Sequence, residues 1–144
     1  NPISVAAQEF STRPDYFKDT DETITAQFEF PSGAVGNIST SHNFNANAMY
    51  VSGSSGWFRL QPANNYGPLS GETSRGDTIK FPHESQQKLQ MDDFAKHVLF
   101  NEPNLAPGEM GKRDMMIVEA IYKSIANGGE TIALDFEPGY GFGE

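Results

Sequence analysis

The spacing of the apolar residues changes once along the chain, at Pro82, and this change constrains the fold more than any other feature. Before Pro82, residues 23–30 alternate strictly between apolar and polar side chains, which is typical of a half-buried strand. After Pro82, apolar residues recur at helical spacing and predict amphipathic helices over residues 87–100 and 109–126. Strands followed by helices predict an α+β fold, a largely antiparallel, open-faced β-sheet with the two C-terminal helices packed on one face.

Turn residues divide the remaining chain into elements. The Pro-Ser-Gly run at residues 31–33 predicts a hairpin, and the Asn-Gly-Gly run at residues 127–129 predicts the end of the second helix. The other predicted strands begin at Ile3, cover residues 34–42, 49–52, 57–61, 77–81 and 131–134, and include a short one near Leu69. Residues 138–144 are a predicted glycine-rich tail. We interpret residues 1–144 as a single domain.

Charge and composition exclude several classes of protein. Lys and Arg number 10 against 19 Asp and Glu, a net charge of −9 over 144 residues, so neither nucleic acid nor an anionic membrane surface is an expected partner. No apolar run approaches the roughly 20 residues that span a bilayer. The absence of cysteine excludes disulfide scaffolds, thiolate metal sites and cysteine nucleophiles. The cellular compartment stays open.

The candidate binding residues lie at the end of one predicted strand. The three histidines are far apart and lack the spacing of metal ligands, so no metal site is predicted. His42, however, lies within a dense run of hydrogen-bonding side chains at residues 39–45. We predict that Ser41, His42 and Asn43 bind a sugar-like substrate. The alternative is a polar strand end whose groups are satisfied by their own turn.

Motifs for catalysis or cofactor binding are missing. The GSSG run at residues 53–56 lacks the Lys and the following helix of a phosphate loop, and no GxSxG elbow occurs. Asp19, Asp21 and Glu22 lie in an acidic linker that we interpret as flexible, and Asp92 and Asp93 point about 100° apart on a helix. The chain is therefore not expected to be a self-sufficient enzyme.

Several motifs together resemble the C-terminal domain of the glucose–fructose oxidoreductase, inositol dehydrogenase and rhizopine-catabolism (Gfo/Idh/MocA) family, and the glucose–fructose oxidoreductase branch most closely. The resemblance rests on FEFPSGAVG at 28–36, VSGSSGWFRL at 51–60, QMDDFA at 90–95, NEP at 101–103, PGEMG at 107–111 with Asp114, and EAIYKS at 119–124. These motifs follow the family's order from Ile3 to about Leu134.

The resemblance implies a role within a longer enzyme. Family members bind NAD or NADP in an N-terminal Rossmann domain, and their catalytic groups lie there or just before the present sequence; neither a Glu-Lys-Pro motif nor an Asp-x-Gly-x-(Tyr/His) motif occurs here. We therefore expect no catalytic and no cofactor-binding residue in this chain. In the family, the sheet lines the substrate pocket and supports oligomers. The end of the strand at residues 41–43 matches the position that approaches the substrate, with His42 in place of the family's Tyr.

The sequence thus predicts the substrate-binding and oligomerisation domain of an NAD(P)-dependent sugar or polyol oxidoreductase. The first residue, Asn1, suggests a piece of a longer protein, and the piece alone is expected to be inactive. Expected partners are a sugar or polyol and a second copy of the chain, which associates through the sheet face. The alternative is a non-catalytic carbohydrate- or protein-binding module that uses the same open face. The substrate and the choice between NAD and NADP stay open.

Overall fold

The computed structural model describes residues 1–136, so the predicted tail at residues 138–144 lies outside the described residues. The described chain contains strands β1 (Ser4–Phe10), β2 (Thr23–Glu29), β3 (Val35–Ser41), β4 (Met49–Gly53), β5 (Gly56–Leu60), β6 (Leu69–Thr73), β7 (Thr78–Phe81) and β8 (Ile132–Ala133), and helices α1 (Gln86–Phe100) and α2 (Gly108–Ala126). The chain groups into two compact units. The first unit contains Asn1–Asn45 and residues 106–136, and the second contains Ala46–Leu105.

The first unit is an antiparallel sheet in the order β3-β2-β1-β8, with α2 packed on β1 and β8. The alternation predicted for residues 23–30 is confirmed, because Ile24, Ala26 and Phe28 are buried while their polar neighbours face the other way. The core also includes Val5 of β1 and Ile121 of α2. Burial of each large apolar side chain contributes about 1.5–3 kcal/mol, so this interface stabilises the unit.

The two turns predicted for this unit are confirmed. Between β2 and β3, Gly33 adopts φ +80° and donates its backbone N–H to the Phe30 carbonyl at 2.9 Å. After α2, Gly128 and Gly129 adopt φ +71° and +92°. The Gly129 N–H then donates to the carbonyl of Ser124 at 2.8 Å, which ends the helix at the residues expected from the sequence.

The second unit is an antiparallel sheet of consecutive hairpins, in the order β4-β5-β6-β7. Its register pairs Val51 with Phe58 and Tyr50 with Arg59, which separates the side chains between two faces. Residues on the apolar face are Met49, Val51, Phe58, Leu60, Leu69, Ile79 and Phe81, and residues on the polar face are Tyr50, Ser52, Trp57, Arg59, Ser70, Glu72, Thr78 and Lys80. We call these the apolar face and the polar face of the second sheet.

Helix α1 also belongs to the second unit. The Ser85 side chain caps its start by accepting from the Lys88 N–H, and Asn101, in a left-handed conformation, ends it. No residue of α1 is buried, and its apolar positions are exposed, including Met91 and Leu99. Over residues 1–136, neither helix is both long and apolar enough to cross a bilayer.

The predicted α+β class and the antiparallel strands are confirmed, with two differences. The strands form two four-stranded sheets rather than one, and of the two helices only α2 packs on the sheet of the first unit. The division falls in an asparagine-rich segment at residues 43–47. The Asn43 N–H donates to Ser41 Oγ, and Asn47 Oδ1 accepts from the backbone of Ala63 and Asn64. The Asn43 bond closes a turn directly after β3, and the Asn47 bonds join the start of the second unit to the loop after β5.

Candidate functional site

The predicted substrate residues lie where β3 ends, and two of them are held by their own hydrogen bonds. Ser41 Oγ lies 2.7 Å from Thr23 Oγ1 on the neighbouring strand and accepts from the Asn43 N–H at 2.9 Å. The Asn43 amide donates through Nδ2 to Thr12 Oγ1 at 3.3 Å. The Ser41 hydroxyl thus shapes the turn, whereas the Asn43 side chain extends toward the linker between β1 and β2.

His42 is held by its backbone and by one ring contact. Its N–H donates to the Glu22 carbonyl at 2.9 Å, and its imidazole stacks on Phe17 with centroids 6.1 Å apart and planes 20° apart. The ring is exposed, and within residues 1–136 neither imidazole nitrogen makes a hydrogen bond to the protein. The site therefore holds the ring in place and leaves both nitrogens open to a ligand.

Glu22 organises the linker beside this strand end. Its side chain is only 1% exposed, and its carboxylate accepts four hydrogen bonds from the linker. The donors are Ser11 Oγ at 2.8 Å, the N–H and Oγ1 of Thr12, both at 2.7 Å, and the Arg13 N–H at 3.1 Å. Because Glu22 binds the linker with its carboxylate and His42 with its carbonyl, it fixes both parts of the site.

The pKa of Glu22 reflects these bonds. Burial alone raises the pKa of a carboxyl group, because it disfavours the charged form. Here the hydrogen bonds from Thr12, Ser11 and the backbone of Arg13 outweigh burial and lower the pKa of Glu22 to about 2. The carboxylate is therefore ionised at neutral pH, with its oxygens occupied by the linker, and acts as a structural anchor.

An aromatic cluster extends from His42 into the linker. Phe17 is buried and contacts Tyr16 edge to face, with ring centroids 4.9 Å apart. The Arg13 guanidinium carbon lies 5.2 Å from the centroid of each of these two rings, within the range of a cation–π interaction. Among the described residues, the guanidinium makes no ion pair. We call Arg13, Tyr16, Phe17 and His42 the arginine–aromatic cluster.

Helix α2 reaches the same linker through one hydrogen bond. The Tyr122 hydroxyl donates to Asp21, the residue before Glu22. The pKa of Tyr122 is raised by this hydrogen bond, by burial and by the negative charges of Asp21 and Glu9. The linker is therefore anchored at both Asp21 and Glu22.

Each unit also carries a shallow concavity on its sheet. In the first unit, a depression of about 360 Å³ lies over β1–β3 and includes Gln8, Thr25, Gln27, Asn37 and Ser39. In the second unit, a concavity of about 520 Å³ lies between the two hairpin turns, at residues 51–58 and 73–77. The exposed Tyr50 ring stacks on Trp57 on the polar face there, with centroids 5.8 Å apart.

The described residues offer no cradle for a metal or a dinucleotide. Residues 1–136 contain no group of three His, Asp or Glu side chains that could hold a metal ion. Gly53 and Gly56 flank the turn between β4 and β5, so no helix follows them to bind a pyrophosphate. The residues present therefore do not fit an NAD(P) site.

Sequence reasoning missed Glu22, Arg13 and Phe17. The interpretation of Glu22 as part of a flexible acidic linker is wrong, since it is among the most buried side chains. The usable signal was the Ser11-Thr12 pair after β1, which supplies hydroxyl donors to an acid placed directly before β2. For Arg13, the Tyr16-Phe17 pair three and four residues later was the corresponding signal.

Comparisons with known proteins agree with this fold. The family described as "Oxidoreductase family, C-terminal alpha/beta domain" (Gfo/Idh/MocA) matches residues 1–134. An aldose-aldose oxidoreductase from Caulobacter crescentus, solved with glycerol, is 29% identical at a TM-score of 0.82, covering 93% of this chain and 42% of that one. A myo-inositol 2-dehydrogenase from Lactobacillus plantarum is 18% identical at a TM-score of 0.64, and the match covers 94% of this chain and 43% of that one. An oxidoreductase from Agrobacterium radiobacter, solved with NAD+, L-tartaric acid and magnesium, is 15% identical at a TM-score of 0.70. That match covers 92% of this chain and 43% of the other.

The last two likenesses establish the fold alone, and the chain spans about two fifths of the length of the structures it matches. The family match, in contrast, covers nearly the whole sequence, residues 1–134. The resemblance stated from the sequence is confirmed. The chain belongs to the Gfo/Idh/MocA oxidoreductase family, of which it is a C-terminal α/β domain.

Proposed function

We propose that this chain is the substrate-binding and oligomerisation domain of an NAD(P)-dependent sugar or polyol oxidoreductase. The observation that carries the proposal is the end of β3, where His42 presents an exposed imidazole with both nitrogens open. Asn43 lies beside it, and Ser41 holds the turn in shape. A hydroxyl-rich ligand needs such fixed donors and acceptors to be bound in one orientation.

Cofactor binding and catalysis belong, in this proposal, to another part of the parent protein. The described residues do not fit a dinucleotide, and the matched structures are more than twice as long as this chain. The Agrobacterium radiobacter relative binds NAD+, and the Caulobacter crescentus relative is named for aldoses. We therefore assign the NAD or NADP site and the catalytic residues to a Rossmann domain, and expect residues 1–144 alone to be inactive.

Oligomerisation is assigned to the second sheet. Its apolar face exposes Met49, Val51 and Phe81, side chains that water disfavours. Packing this face against the same face of a second copy about a two-fold axis would remove them from water. The net charge of −9 opposes association, but salt screens it over about 8 Å at physiological ionic strength.

Kinetics of the parent enzyme test the substrate role. We expect His42→Ala to raise the Michaelis constant for the sugar roughly tenfold, the loss of one or two hydrogen bonds, with the affinity for the nicotinamide cofactor unchanged. His83→Ala is a matched control, because His83 is also exposed and lies in a loop of the second unit. Equal Michaelis constants for His42→Ala and wild type would contradict the proposal.

One observation favours a second candidate function, a non-catalytic carbohydrate-binding module. The stacked pair of Tyr50 and Trp57 exposes aromatic surface on the polar face, and aromatic faces bind the apolar side of sugar rings. Under this alternative, Trp57→Ala abolishes binding of an oligosaccharide while His42→Ala does not. A reversed pattern supports the oxidoreductase domain.

A further inference from the structure

We propose that Arg13 and His42, which both contact Phe17, form a site for the oxyanion of an acidic sugar, such as the carboxylate of an aldonate. The inference rests on the proposed substrate role of the β3 end and adds the charge of the ligand. It starts from the unequal numbers of acidic and basic residues. In a chain with almost twice as many acids as bases, the Arg13 guanidinium has no carboxylate partner among residues 1–136.

Three of the acids near Arg13 in sequence, Glu22, Asp21 and Asp19, have other partners, whereas Asp15 lies two residues from Arg13 and makes no ion pair with it. All four hydrogen bonds to the Glu22 carboxylate come from the linker, and Asp21 accepts from Tyr122. Asp19 pairs with Lys18 at 3.9 Å. None of these carboxylates forms an ion pair with the Arg13 guanidinium among residues 1–136. A buried or fixed cation without a partner favours binding of an anion from outside.

The N–H donors of the Arg13 side chain are not used within residues 1–136. The guanidinium carbon lies 5.2 Å from the centroids of the Tyr16 and Phe17 rings, and none of the guanidinium N–H groups makes a hydrogen bond to a described residue. Because the donors form a planar fork, they match the two oxygens of a carboxylate or of a phosphate. The ring contacts thus hold the group without using its donors.

The backbone of Arg13 is as ordered as its side chain. Its N–H donates to the Glu22 carboxylate, and its carbonyl accepts from the Tyr16 and Phe17 N–H groups at 3.0 and 3.1 Å. The Glu22 carbonyl holds His42 in turn. One buried glutamate therefore fixes both residues of the proposed site, which lowers the conformational entropy lost when a ligand binds.

Calorimetric titration of the protein with gluconate, glucose 6-phosphate and glucose tests the inference. We expect gluconate to bind more tightly than glucose. Arg13→Met should weaken the binding of gluconate roughly tenfold or more and leave the affinity for glucose unchanged, since one charge-assisted pair is lost. Arg13→Lys keeps the positive charge but lacks the planar pair of N–H donors, so it should weaken the binding of gluconate several-fold. The control, Lys96→Met, removes one positive charge from an exposed position on α1 and should change neither affinity.

The outcomes separate this inference from the proposed function. If His42→Ala weakens glucose while Arg13→Met leaves gluconate unchanged, the anion site is refuted and the substrate role stands. If His42→Ala weakens neither sugar, the proposed function fails. Glucose 6-phosphate binding through Arg13 without gluconate binding would identify the oxyanion as a phosphate. Arg13→Lys retains the stacked cation, so it preserves the test if Arg13→Met unfolds the linker.

Discussion

The two units bury their apolar residues to very different extents. In the first unit, α2 covers one face of the sheet, and Val5, Ile24 and Ile121 form a continuous buried cluster. In the second unit, no strand residue is fully buried and α1 buries none of its apolar side chains. The first unit thus carries its own core, whereas the second presents apolar surface on both a sheet and a helix. Apolar side chains of the same type therefore stabilise the first unit and, in the proposed dimer, serve association in the second.

The largest expected effect is on the free energy of unfolding, and it is measured by comparing an isoleucine of α2 with a leucine of α1. Ile121 of α2 is 8% exposed, and Leu99 of α1 is 71% exposed. Ile121→Ala should lower the free energy of unfolding by about 2–5 kcal/mol, because it leaves a cavity in the core. Leu99→Ala should lower the free energy of unfolding by less than about 0.5 kcal/mol. Urea unfolding of both variants measures this, and equal losses would remove the distinction between the units.

A second test measures how the stability of the first unit changes as the pH falls. The unfolded chain protonates Glu22 near pH 4.5, but the folded chain holds the pKa at about 2. The stabilisation by this carboxylate is therefore complete above pH 4.5 and is lost as the pH falls toward 2. Glu22→Gln should be less stable at neutral pH and should lose less stability over that interval. Glu130→Gln, at an exposed position, should follow the wild-type curve in thermal melts recorded from pH 6 to pH 2.

The smallest effect on the stability of a single chain is expected for the second sheet. Val51 and Ser52 are neighbours on β4 and lie on opposite faces. Val51→Asp should dissociate the proposed dimer in light scattering, with little change in unfolding, while Ser52→Asp leaves it intact. The wild-type dimer should tighten as salt rises, since screening weakens the repulsion between two acidic chains. A monomer at high protein concentration in 1 M salt would contradict this assignment.

Local patterns predicted the elements well. The alternation at Ile24, Ala26 and Phe28 located β2, and Gly128 with Gly129 located the end of α2, because both depend on the nearest neighbours in sequence. The pairing of β8 with β1 depends on residues more than 120 positions apart, for example Ser4 and Ala133. No local pattern encodes that pairing.

The site was predicted less completely than the fold. The hydrogen-bonding density around His42 singled out the end of β3 as the candidate site, but the ring contact of His42 comes from Phe17, which lies on the other side of β2 in sequence. Glu22 was misjudged because its acidic neighbours are typical of a solvated loop. Only the folded linker brings the Ser11 and Thr12 hydroxyls within reach of its carboxylate.

The bond from the Ala7 N–H to Ser124 Oγ, at 2.9 Å, also affects the order of events during synthesis. Its two residues are 117 positions apart, and a ribosome adding 5–20 residues per second needs roughly 6–23 s to make that stretch. During this interval β1 has no covering helix. The hairpins of the second unit, in contrast, join strands a few residues apart and need no later segment. All four strands of the second sheet are therefore synthesised before α2, the helix that packs on β1.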